Sequence, residues 1–183
     1  MEPSTASLSG NLLIAGPALF DPNFRRTVVL IGHHDEEGAV GVVLNRALEL
    51  TVDEVVPDLG RLVPPGDRLH AGGPVQPDGA VILADFQEPA EAEVLAFGTI
   101  GFMPPDRDPL EMPVRRARVF VGYSGWGAGQ LEAELEEEAW IVEPAVADDV
   151  FAPEPERLWE RVLARMGTEV AMLRLMPEDP SLN

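Results

Sequence analysis

The chain contains no cysteine and no lysine, and both absences narrow what it does. Without thiols there is no disulfide framework, no cysteine nucleophile and no thiolate metal site. All 13 basic residues are arginine against 32 acidic ones, so the formal net charge is −19. Nucleic-acid affinity rests largely on neutralising phosphates, and the local basic clusters, Arg115-Arg116-Arg118 and Arg25-Arg26, are too small to supply a duplex-binding face. The same charge disfavours anionic membranes. Long apolar runs are also missing: Leu12 to Phe20 is broken by Gly16-Pro17 and falls far short of the ~20 residues that span a bilayer. With no positively charged leader in Met1 to Gly10, a cytoplasmic location is expected.

What is present supports folding. Of 183 residues 45% are hydrophobic, enough for one core, while Gly 17 and Pro 18 together make about a fifth of the chain and announce many turns. A small, polar stretch over residues 1–10 reads as a flexible arm, and 11–183 as a single domain. Leu12 to Ala15 is a first buried strand, and Thr27 to His33 with Ala39 to Leu44 form a hairpin around an acidic tip. Thr51 and Glu54 fit a capping box on a helix that Pro57 ends at once. Strands follow at Asp67 to Gly73 and Ala80 to Phe86, then a largely irregular excursion from Gln87 to Pro113 around one short strand near Leu95 to Ile100. Arg116 to Tyr123 is the central strand. A glycine-rich turn leads from it to a helix over Ala128 to Glu138, a strand at Trp140 to Val142, and an amphipathic helix from Glu154 to Met166. Thr168 to Met176 is a further strand-like segment. The order predicts an α+β (mixed α/β) fold, with a bent, mostly antiparallel sheet flanked by two or three helices.

No motif for catalysis or cofactor binding is complete, and no cofactor or metal is expected. Gly122-Tyr123-Ser124-Gly125-Trp126 resembles a nucleophile elbow, but the last position is Trp, and His33, His34 and His70 all precede the serine where that fold needs a histidine after it. Gly125-Trp126-Gly127-Ala128-Gly129 resembles a dinucleotide fingerprint, with Glu143 as the ribose contact, yet Gln130 stands where the final glycine belongs. Free N–H groups at that helix start remain a place for a small anion. His33 and His34 are adjacent on a strand and point to opposite faces, so without a bulge they cannot both bind one ion. Ten acidic residues between Glu132 and Glu156 read as a solvated face or a dock for a basic partner.

The run Gly122 to Glu132, followed by Glu137-Glu138-Ala139-Trp140, joins several other blocks: Asp21-Pro22-Asn23-Phe24, His34 to Ala39, Val43-Leu44-Asn45-Arg46 and Gly72-Gly73-Pro74-Val75. In this order, from about residue 10 to 166, they resemble the AlgH/YqgE family of bacterial proteins. That resemblance implies a compact domain with a pseudo-barrel sheet and no established biochemical activity, one branch carrying a transcriptional-regulator label. Where relatives often have cysteine in the second strand, this chain has Gly32.

These readings lead to a non-enzymatic binding or regulatory protein with an unidentified protein or small-molecule partner and no direct nucleic-acid target. Its expected site is one polar cluster of His34, Asn45, Arg46, the Gly72-Gly73-Pro74 turn, Trp126 and Gln130, because hydrogen-bonding groups at the ends of apolar elements exceed what a core needs. The alternative is a small-molecule enzyme, hydrolase or nucleotide-binding, using the turn from Gly122 to Gln130.

Overall fold

The β-branched and aromatic run after Pro113 forms a strand long enough to organise three separate ladders. In the computed structural model, which describes residues 6–16, 19 and 21–167, the elements are as follows in chain order. Strands β1 (Asn11–Ala15), β2 (Val28–Asp35), β3 (Gly38–Val43) and β4 (Ala47–Thr51) precede helix α1 (Val52–Val55). Next come β5 (Arg68–Ala71), β6 (Val75–Phe86), β7 (Val94–Phe97), β8 (Ile100–Phe102) and β9 (Val114–Gly127). Helix α2 (Gln130–Glu136), β10 (Trp140–Pro144), α3 (Ala147–Val150) and α4 (Leu158–Met166) complete the set. The tail segment Thr168 to Met176 lies outside the described residues.

Strand order is β10-β1-β2-β3-β9-β6-β8-β7, with β4 and β5 branching from β9. Among the described residues every pair is antiparallel except β5 with β9. The result is a single α+β domain on one ten-stranded sheet that bends strongly without closing. Its far end folds back on its beginning: a Cβ on Gly32 of β2 would strike the Phe102 ring of β8, and one on Gly10 would strike the Ala96 carbonyl of β7. Residues 7–10 run along the sheet, with Gly10 N–H donating to Ile31 O (2.8 Å) and Ser7 Oγ to His34 O (3.0 Å).

Three apolar clusters fill the layers. Leu12, Ile14, Leu30, Val42 and Phe120 on one face meet Leu158, Trp159, Val162 and Leu163 of α4. Each such fully buried side chain contributes about 1.5–3 kcal/mol of transfer free energy. On the other face Leu13, Val29, Ile31, Trp126 and Trp140 pack under Leu131 of α2. Val52, Leu69, Phe86 and Val119 form the third cluster, beside α1. At the start of α1, Glu54 accepts both the backbone N–H and the hydroxyl of Thr51, at 2.9 and 3.0 Å.

Two expectations are corrected. The excursion from Gln87 to Pro113 holds a hairpin, β7–β8, in place of one strand; its ladders are three or four residues long, too short for periodicity to register. The glycine-rich segment from Gly122 is not a turn until Ala128. It continues β9, because β3 supplies a ladder that pairs Gly41, Val40, Ala39 and Gly38 with Ser124, Gly125, Trp126 and Gly127. Gly122 (φ +71°) instead marks an irregularity inside the strand, opposite the point where β6 slips register between Val75 and Ala80.

Candidate functional site

Three of the expected site residues meet on the face under α2. His34, Ala39 and Trp126 are cross-strand neighbours on β2, β3 and β9, so their side chains share one face. His34 is buried; its Nδ1 accepts the Leu8 N–H (3.0 Å), which places the ring proton on Nε2 and directs it to Glu132 Oε1 (2.8 Å). A hydrogen bond from its own backbone N–H, and then the one from His34, hold the Glu132 carboxyl below its usual range. Glu134 Oε2 accepts both indole N–H groups, from Trp126 (2.9 Å) and Trp140 (2.7 Å), while its Oε1 accepts Gln130 Nε2 (3.0 Å). Phe24 stands against both indoles. Gln130 Oε1 in turn accepts the Gly127 N–H at 3.0 Å, so the seat that a phosphate would take is filled by the protein's own side chain. The acidic run is therefore not all solvated face: Glu132 and Glu134 turn inward and bolt α2 to the sheet.

Asn45 and Arg46 are elsewhere, behind the loop that follows β1. Asn45 Oδ1 accepts the Val28 N–H and its Nδ2 donates to Arg26 O, both at 2.9 Å. Arg46 donates to the carbonyls of Asn23 (2.5 Å), Pro22 (2.9 Å) and Arg25 (3.3 Å). Thr27 takes the remaining carbonyl, that of Phe24, at 2.5 Å. With all five carbonyls from Pro22 to Arg26 tied inward, the loop is a rigid wall. It faces α4 across a cleft of about 410 Å³ lined by Pro22, Arg25, Arg26, Asn45, Arg46, Glu156, Trp159 and Glu160. The Arg26 guanidinium lies 4.5 Å over the Trp159 ring and 4.0 Å from Glu160. Glu156 is bound by Arg68. Burial pushes the Arg46 pKa down, partly offset by the charge of Asp21.

The Gly72-Gly73-Pro74 turn is a third location. Gly72 O accepts the Val43 N–H (2.8 Å) and the Ser124 hydroxyl (3.1 Å), and Gly73 (φ +154°) passes so close to Tyr123 that a Cβ there would overlap its carbonyl. Ser124 is fully buried in a strand, neither raised on an elbow nor next to a histidine acceptor. The expected single cluster is thus divided among the α2 face, the arginine cleft and a packed turn. His33 and His34 do face opposite sides; exposed His33 pairs with Asp35 at 2.7 Å.

A buried polar group with no sequence signal lies on β5 and β9. Arg118 reaches the carbonyls of Val150 (3.2 Å) and Ala152 (2.8 Å) and approaches Asp67 (3.7 Å). His70, one strand over, is 1% exposed, and neither ring nitrogen has a hydrogen-bond partner among the described residues. Burial, then the charge of Arg118, lowers its pKa to about 4.

The fold and its surface define a one-domain α+β protein on an open antiparallel sheet, with an arginine-lined cleft and no assembled nucleophile–base pair among the described residues. The chain belongs to the AlgH-like family, whose model matches residues 12–171. It is 44% identical to a UPF0301 protein of Streptomyces coelicolor over 97% of this chain and 96% of the other, and 44% identical to one of Thermobifida fusca over the same shares. Among solved structures, it resembles a protein from Corynebacterium diphtheriae (TM-score 0.82, 28% identity, covering 96% and 94%). It also resembles AlgH from Pseudomonas aeruginosa (TM-score 0.72, 32% identity, covering 97% and 98%).

Proposed function

We propose that the protein is a non-enzymatic binding protein of the cytoplasm, regulatory in kind, and that it receives a small molecule in the cleft between the Pro22–Arg26 loop and α4. The observation that carries this reading is the wiring of the loop. Two side chains, Asn45 and Arg46, spend five hydrogen bonds fixing main-chain groups of Pro22, Asn23, Arg25, Arg26 and Val28. A wall held this firmly, beside an indole and facing a cleft of ligand size, is what preorganised recognition requires and packing does not. The candidate reacting groups speak for binding over chemistry: His34 and Ser124 are both occupied by structural hydrogen bonds. The net charge of −19 speaks against DNA as the partner.

A metabolite library screened by protein-observed NMR tests the reading. Saturable shifts at Arg25, Arg46 and Trp159 are expected, with no turnover of esterase or phosphatase substrates. Hits that map onto α2 instead, or hydrolysis abolished by Ser124→Ala, would overturn it.

A further inference from the structure

We infer that the ligand of this cleft carries an oxyanion, a carboxylate or a phosphate, and that the Arg46 guanidinium is its principal partner. The inference rests on the cleft being the ligand site. Its own ground is a missing close ion pair: the charge of Asp21 reaches Arg46 but only partly offsets its burial. In a chain with 32 acidic residues, Arg46 makes no ion pair among the described residues. Three of its hydrogen bonds go to main-chain carbonyls, out of the five N–H groups that a guanidinium offers. Those carbonyls orient the fork but cannot neutralise it.

The acids on the lining do not compensate. Glu156 is engaged by Arg68, and Glu160 lies against Arg26, which is also stacked on Trp159. Arg25 completes the same wall. Partial burial makes a charge that Asp21 only partly matches expensive, as the lowered Arg46 pKa reflects. Both Nη2 hydrogens and one on Nη1 are spent, so an oxyanion would take one of the N–H groups left, on Nε or Nη1, as a short charge-assisted hydrogen bond and complete the partial compensation by Asp21. The surrounding field is negative, so the site selects by local geometry and not by long-range steering.

The test titrates the full-length protein, at constant ionic strength, with inorganic phosphate, malonate, glycerol and propylamine in chloride buffer, following the arginine Nε–H and Trp159 indole signals. Phosphate or malonate is expected to shift the Arg46 signal saturably, and whichever binds tighter identifies the acid group. Arg46→Gln should weaken that binding at least about tenfold. Because Arg46 also holds the loop, Arg46→Lys serves as a second variant: it loosens the loop as glutamine does but keeps the charge, and should bind the acid severalfold more tightly than Arg46→Gln, equal loss in both refuting the charge-based assignment. Shifts with glycerol or propylamine but neither acid refute the oxyanion and leave the cleft as a ligand site. No shift with any of the four, while library compounds bind elsewhere, refutes both.

Discussion

Replacing His70 with leucine should remove ~3 kcal/mol of the acid sensitivity of folding between pH 6.5 and 4. In the native protein this imidazole is enclosed beside Arg118 and Arg68, and its pKa falls from 6.5 to about 4. Above pH 6.5 it is neutral in both folded and unfolded chains and contributes no pH dependence. As pH falls from 6.5 toward 4, the unfolded chain takes up a proton that the native state refuses, so stability is lost across this window and the loss levels off below the folded value. With about 1.4 kcal/mol for each tenfold change in proton affinity, the full loss is ~3 kcal/mol, or roughly 6–12 °C in melting temperature for a chain of this size. Asp67, whose carboxyl is raised by burial, acts in the opposite direction, but it is present in both proteins and drops out of the comparison. At pH 7 the leucine variant should be about 1 kcal/mol more stable, since two orphaned ring nitrogens are removed and the volume is kept. Urea unfolding of both proteins at half-unit steps from pH 7.5 to 4 measures this. Parallel stability curves would show that His70 finds a partner in solution, and the account of the β5–β9 polar group would be wrong.

Glu134→Ala strips the acceptor from two indoles and should destabilise by ~2–4 kcal/mol, with the tryptophan emission moving to the red, as denaturant titration and fluorescence would show. Ser124→Ala should lower stability by no more than ~1 kcal/mol, because the Gly72 carbonyl keeps its bond from Val43, and ligand binding should be unchanged in calorimetry. Gly73→Ala sets a Cβ against the Tyr123 carbonyl at a left-handed φ and should cost more than ~2 kcal/mol, seen as a fallen thermal midpoint. Asn45→Ala should cost ~2 kcal/mol and, by loosening the Pro22–Arg26 wall, abolish saturable phosphate or malonate shifts at Arg46.

The larger elements are legible because their signals are local. The hairpin of β2 and β3, the long strand β9 and the apolar stripe of α4 each carry their own periodicity, and the blocks from Asp21 to Trp140 carry the family. Legibility fails where the outcome depends on distant partners. Nothing near Gly122 to Gly127 says whether those glycines turn or extend, since glycine permits both; β3, some 85 residues earlier, decides it by pairing. Asn45 and Arg46 are recognisable as residues a core does not need, yet their targets are carbonyls about 20 residues back, which no side-chain pattern encodes. Glu132 and Glu134 are indistinguishable in sequence from their solvated neighbours; only the indoles and His34 opposite them turn these two inward. His70 gives no signal at all, because its surroundings, Phe120 and Arg118 of β9, are about 50 residues away in the chain.

The place of β1 in the sheet has a consequence for the timing of synthesis. Its neighbours are β2, made almost at once, and β10, whose Trp140 pairs with Ala15. At ~5–20 residues per second, the ribosome needs about 6–25 seconds to deliver those ~125 intervening residues. During that interval one edge of Asn11–Ala15 is unpaired and open to strand addition by a neighbouring nascent chain. At five residues the exposed edge is short, and closing it is a step that a truncated chain ending before Trp140 can never take.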